Sequence, residues 1–273
     1  MWSSLSNRAG WLCQWLINRP SYVLLAAGDE AFAGHSAERF AKAWAGVILL
    51  SILCGAMLNI VWSQAYMLFG EMTGLRIMPA VAATTVAVLW PYRRSLSALA
   101  SVFGQAASSA IAACAGIVVL VMGLISVKSW HSDVFVMPAA IAWMRPNLEE
   151  GRALALMPLW GAWAMLITCQ FCRPCEASEP AIRAFAKGCD AVRAVLALAV
   201  PALGTWAFFG FLDWDSFRGW GHLKLSAITT VAAILVGLLL CRLCGGLSRR
   251  CLLATNLATQ IIFLLACVHC ARI

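Results

Sequence analysis

Thr255, Asn256, Thr259 and Gln260 follow one another in a stretch otherwise made of Cys, Leu, Ala, Ile and Phe. Residues four apart lie on one face of a helix, so these four form a polar stripe where lipid contact would favour leucine. Their hydroxyls and amides can donate and accept hydrogen bonds but carry no charge. Just before them lies Arg242–Arg250, RLCGGLSRR, a nine-residue turn with three arginines and a Gly-Gly pair. Guanidinium groups such as those of Arg249 and Arg250 bind anionic phosphate through paired, charge-assisted hydrogen bonds. The two features together form a basic turn feeding a polar-striped helix.

Other groups with chemical potential are weaker. His131 and Asp133 stand two residues apart with no third ligand nearby, and Asp213 and Asp215 flank Trp214 in an outer loop that also holds His222. All are expected to be solvated loop residues, as are Arg152, at the end of the outer stretch 127–152, and His35 near the N-terminus. The twelve cysteines include Cys169-x-x-Cys172-x-x-Cys175, Cys241-x-x-Cys244 and Cys267-x-x-Cys270. Cys172, Cys175, Cys241 and Cys244 fall on one predicted side of the membrane, and zinc takes four such thiolates. Cys169, Cys241 and Cys267, however, lie within or at the ends of apolar runs, where cysteine acts as a small hydrophobe. The expectation is no metal and, on the cytoplasmic side, no disulfide framework.

Composition sets the frame that must position these groups. The chain has 273 residues, 62% hydrophobic and 12% charged, about half the charged fraction of a soluble domain. Apolar runs long enough to cross a bilayer occur at Trp44–Phe69, Ser109–Ser126, Ala153–Cys172, Ala194–Leu212, Leu225–Cys241 and Cys251–Val268. Ile77–Trp90 is a shorter seventh, interrupted by Pro79, and Val134–Met144 is re-entrant or interfacial. Backbone in lipid must satisfy itself internally, so the spans are helices. The fold class is all-α: a polytopic transmembrane bundle of about seven spans (six to eight) over 44–273. Residues 1–43 form a cytoplasmic amphipathic lead-in without a signal peptide's apolar core.

The net charge of +8 is not gathered into a nucleic-acid patch. With seven spans, 13 Lys and Arg fall on the side holding 1–43, 91–108, 173–193 and 242–250, against seven on the other. The positive-inside rule then places the N-terminus and the arginine turn in the cytoplasm, with the inner (plasma) membrane the expected location. The loop 173–193 has the mixed charge and apolar pattern of an interfacial helix. Asn59, Gln64, Thr84, Thr85, Gln170 and Thr205 add polar groups within spans, but no charged residue is expected well inside one. That argues against an ion-coupled transporter.

Two stretches resemble the cobalamin synthase family. Leu156–Gly188, LMPLWGAWAMLITCQFCRPCEASEPAIRAFAKG, is similar to the family's stretch in which an Arg-Trp-Ala-Met helix leads to an aromatic residue, Arg-Pro and a Gly-rich loop. Leu243–Ala266, LCGGLSRRCLLATNLATQIIFLLA, resembles the family's C-terminal Gly-Gly-x-Thr-Gly-Asp-x-x-Gly-Ala-x-x-Glu-Leu-x-Glu segment. The resemblance implies an integral membrane transferase that joins adenosylcobinamide-GDP to α-ribazole, using Mg²⁺. It implies a substrate site at Arg173, Arg249, Arg250, Thr255, Asn256 and Gln260, with the lipid bilayer as surroundings; a membrane-protein partner is expected on the scaffold alternative. Catalytic residues are not assigned, because Arg250 stands where the family has Asp, and Leu257 and Gln260 where it has Glu. The alternatives are a non-catalytic membrane scaffold and a small-molecule transporter.

Overall fold

The computed structural model describes residues 48–49, 51–61, 64, 95–102, 104, 149–175, 178, 180–211 and 220–270. Among them are seven helices: α1 (Ser51–Val61), α2 (95–102), α3 (Glu149–Phe171), α4 (Pro180–Gly188), α5 (Ala191–Thr205), α6 (Gly221–Leu243) and α7 (Arg249–Cys270). Four segments are long and apolar enough to cross a membrane: Arg152–Phe171, Ala191–Phe209, Gly221–Leu243 and Arg249–Cys267. They match the last four expected spans to within four residues at each end; all four start earlier than expected, and only Gly221–Leu243 also ends later. The expected spans Ile77–Trp90 and Ser109–Ser126, the Val134–Met144 segment, residues 1–43 and about half of Trp44–Phe69 lie outside the described residues; the described part of that first span is helical.

The four long helices divide into two kinds. In α3 and α7, 83% and 72% of the apolar window is inside the protein; in α5 and α6 it is 28%. The buried pair is also where the large side chains meet. Trp160 and Trp163 of α3 pack edge to face, centroids 5.8 Å apart and planes at 89°. Phe263 of α7 stacks on Trp160 at 6.1 Å. A buried indole needs an acceptor, and α5 provides both: Trp160 Nε1 donates to Thr205 Oγ1 (3.1 Å) and Trp163 Nε1 to the Ala194 carbonyl (2.9 Å). Outward from this core, α5 exposes Val192, Val195, Leu196 and Leu203, and α6 exposes Ile228, Val231, Leu235 and Leu239. These are the faces that a hydrocarbon solvent would wet.

After Thr205 the fifth helix widens into a π-helical turn, Trp206–Phe211, and this changes the reading of Arg152. Arg152 is not a solvated loop residue. It is 5% exposed in the second turn of α3, and its Nη1 donates to the carbonyl of Phe208 in the π turn at 3.2 Å. A charge therefore does lie within a candidate membrane helix, near its end, where a carbonyl dipole from a neighbouring helix receives it. His222 is likewise buried, in the first turn of α6 rather than in a solvated loop. Trp220, just before it, is exposed as an interfacial tryptophan would be.

The helix expected in 173–193 is α4. Ile182 and Phe185 are buried and Arg183 and Lys187 are exposed, the division of an amphipathic surface helix. Asp190 then caps α5, its Oδ1 accepting from the Arg193 backbone N–H at 2.7 Å. The Arg193 side chain returns to the Gly188 carbonyl (2.8 Å) and lies 3.3 Å from Asp190 Oδ2.

Candidate functional site: an arginine turn and a buried polar stripe

The turn between α6 and α7 is closed by its own backbone. Cys244 N–H bonds to the Leu240 carbonyl (2.9 Å), Gly245 N–H to Arg242 (3.2 Å) and Gly246 N–H to Cys241 (2.9 Å). Gly245 (φ 71°) and Gly246 (φ 131°) take up the positive φ values that this reversal needs. Ser248 starts α7, its Oγ accepting from Cys251 N–H at 3.2 Å.

The same turn is locked to the loop after α3. Leu247 N–H donates to the Arg173 carbonyl at 2.8 Å, and Pro174 and Leu247 form an isolated parallel bridge. Ser178 Oγ also donates to the Leu247 carbonyl. A Cβ on Gly246 would lie 2.9 Å from that of Cys175, so the loops are in close contact. Arg173, Arg242 and Arg250 are exposed at this end and Arg249 is half-buried.

The stripe lies deeper. Thr255, Asn256, Thr259 and Gln260 are each at most 1% exposed. They pack against α3 at Gly161, where an added Cβ would stand 2.6 Å from Gln260 Nε2 and 2.9 Å from the Asn256 carbonyl oxygen. Gln260 Nε2 donates to Asn256 Oδ1. Among the described residues, Thr259 Oγ1 and Gln260 Oε1 have no hydrogen-bond partner, and the Thr255 hydroxyl lies beside the weakly polar Cys251 thiol. Other buried threonines behave differently. Thr168, Thr205 and Thr229 each donate to the carbonyl four residues back, at 2.7, 2.7 and 2.8 Å.

Helical rise, about 1.5 Å per residue, separates Arg250 from Gln260 by roughly 15 Å along α7. The six residues expected in one site thus fall into two places: Arg173, Arg249 and Arg250 at the end of the bundle, and Thr255, Asn256 and Gln260 within it. The sequence did not indicate Gly161 or Trp160 as parts of the setting. The small-residue run Gly161, Ala162, Ala164 was the available signal.

Thiols cluster at the arginine end. Cys172 neighbours Cys241, Cys169 neighbours Cys189, and Cys175 Sγ is 3.0 Å from Ser178 Oγ. Burial pushes the Cys244 thiol above its usual range, and the charge of Arg250 partly offsets this. Among the described residues no three His, Cys, Asp or Glu side chains are placed to hold a metal ion. Magnesium requires hard oxygen ligands. The one carboxylate whose side chain is described, Asp190, is engaged at the α5 cap, and Arg250, Leu257 and Gln260 supply none. These residues do not fit a Mg²⁺ site.

Compared with protein-family models, curated proteins and solved structures, the chain matches none.

Proposed function

We propose that this chain is an integral membrane protein on the cobalamin synthase plan that binds a phosphate-linked substrate at its arginine turn without performing magnesium-dependent transfer. The observation that carries this reading is the joining of the two resembling stretches in space, through Leu247 N–H and the Arg173 carbonyl. Segments far apart in sequence thereby bring Arg173, Arg249 and Arg250 to one end of the bundle. The ligand is adenosylcobinamide-GDP or a similar diphosphate, with α-ribazole as the second substrate in the family's reaction. The lack of carboxylates at positions 250, 257 and 260 argues against the transfer step. The topology in this proposal is seven spans in the inner membrane, with the N-terminus and arginine turn cytoplasmic, supported by the distribution of basic residues.

Binding of adenosylcobinamide-GDP to the purified protein, with and without Mg²⁺, tests the reading. Expected are Mg²⁺-independent binding, weakened by Arg250→Ala, and no growth of a synthase-deficient strain on cobinamide plus dimethylbenzimidazole. Growth would restore the enzyme reading. Absence of binding would leave the non-catalytic scaffold, a partner to another membrane enzyme. The uncharged, buried stripe favours a transporter of small neutral solutes as the remaining alternative, for which vesicle uptake is the assay.

A further inference from the structure

Thr259 Oγ1 and Gln260 Oε1 are buried polar atoms in the middle of α7 with no hydrogen-bond partner among the described residues. With 22 residues, α7 is about 33 Å long, so Gln260 sits near the middle of a hydrocarbon core about 30 Å thick. An unmet hydrogen-bonding group costs most there, because no solvent can compensate. Thr259 also forgoes the carbonyl four residues back that Thr168, Thr205 and Thr229 all use.

We propose that the α3–α7 seam beside Gly161 is a binding site for neutral hydroxyl groups, donated by internal water or by a polyol. Gln260 Oε1 can only accept, whereas the Thr259 hydroxyl can accept or donate. The complementary group must therefore donate to Gln260, and a hydroxyl does so while also accepting from Thr259. The ligand is uncharged because nothing at the seam would neutralise it. The ionisable groups nearest along these two helices are the thiols of Cys251 and Cys267 on α7 and Cys169 on α3, each about two turns or more away, followed by the arginines and His269 toward the helix ends. A buried group that can be reached by water ordinarily takes one, with two to four polar partners.

The test exploits a sign. Thr259→Val keeps the side-chain shape and deletes the hydroxyl. If the hydroxyl is satisfied by a bound group, its loss lowers the melting temperature of the full chain in detergent by about 2–4 °C. Thr259→Ser, which retains the hydroxyl, falls by less, and Gln260→Met lowers the temperature in parallel with Thr259→Val. An unchanged or raised melting temperature for Thr259→Val overturns the proposal, since removing an empty polar atom is neutral or stabilising. Should Gln260→Met fail to fold, having also lost the Asn256 contact, the valine and serine variants decide alone. Glycerol is the second probe: a larger stabilisation of the native chain than of Thr259→Val assigns the hydroxyl to a polyol, and equal stabilisation assigns it to water.

Discussion

Gly161 lies directly against Gln260, closer than any residue with a side chain could stand. A β-carbon at Gly161 would meet Gln260 Nε2 at 2.6 Å, Gln260 Cγ at 2.8 Å and the Asn256 carbonyl oxygen at 2.9 Å. The amide can swing away, but the carbonyl belongs to the backbone of α7 and cannot move without the helix. Gly161→Ala is expected to cost about 1–3 kcal/mol, read as resistance to unfolding in mixed micelles. Adding Gln260→Ala to it should recover only part of the loss. Full recovery would mean that the backbone approach is not limiting.

The adjacent glycines of the arginine turn should respond differently. Gly245 has φ 71° and open space around its Cα, so Gly245→Asn, which tolerates the left-handed region, should fold normally. Gly246 has φ 131° and faces Cys175 and the Arg173 carbonyl. Gly246→Ala should therefore release the loop after α3, seen as faster backbone hydrogen exchange at Leu247 and Cys175. Equal exchange in the two variants would contradict the interlock.

At the start of α5, Asp190 has two roles that can be separated. Asp190→Ala removes both the cap and the ion pair with Arg193 and should destabilise by about 1 kcal/mol. Asp190→Asn keeps an oxygen for the Arg193 N–H and loses only the charge. Because that pair is partly exposed, the asparagine variant should lose well under 1 kcal/mol. Thermal unfolding of the two variants distinguishes these outcomes.

Cys244 gives a pH-dependent readout. Its folded-state pKa is raised, burial being the largest cause. The protonated thiol is thus favoured by the fold, and the associated stability is complete below the ordinary thiol value and lost as pH rises through the raised one. Iodoacetamide should alkylate Cys244 more slowly than a free cysteine at about pH 8, measured by peptide mass spectrometry against a Cys244→Ser control. Arg250 lowers this pKa, so Arg250→Ala should slow the reaction further. Acceleration in that variant would show that access, not thiolate population, controls the rate.

The four long apolar helices and the amphipathic α4 could be read directly from the sequence, because hydrocarbon-length runs and helical periodicity are local properties. What was hidden depends on distant partners. Arg152 marks the edge of a span by hydropathy, yet it enters the protein because the π turn at Trp206–Phe211 presents the Phe208 carbonyl. The polar stripe was visible as composition, but its burial depends on Gly161, on a helix nearly a hundred positions away. Likewise, nothing local in the Gly-Gly turn announces that Leu247 will bond to the Arg173 carbonyl.

The contrast between buried α3 and α7 and outward-facing α5 and α6 also bears on how the chain enters a membrane during synthesis. Among the four, α6 is the most apolar, while α3 and α7 are the least. A translocating machine samples each helix against lipid before its eventual neighbours have packed around it. Under that test α6 is the most favoured on its own, whereas α7, with two threonines, an asparagine and a glutamine, is less so. The short turn between them allows α7 to enter as the second arm of a hairpin, shielded at once by its predecessor. If these helices enter a membrane, α3 and α7, the two least apolar, gain most from neighbours that pack against them during insertion.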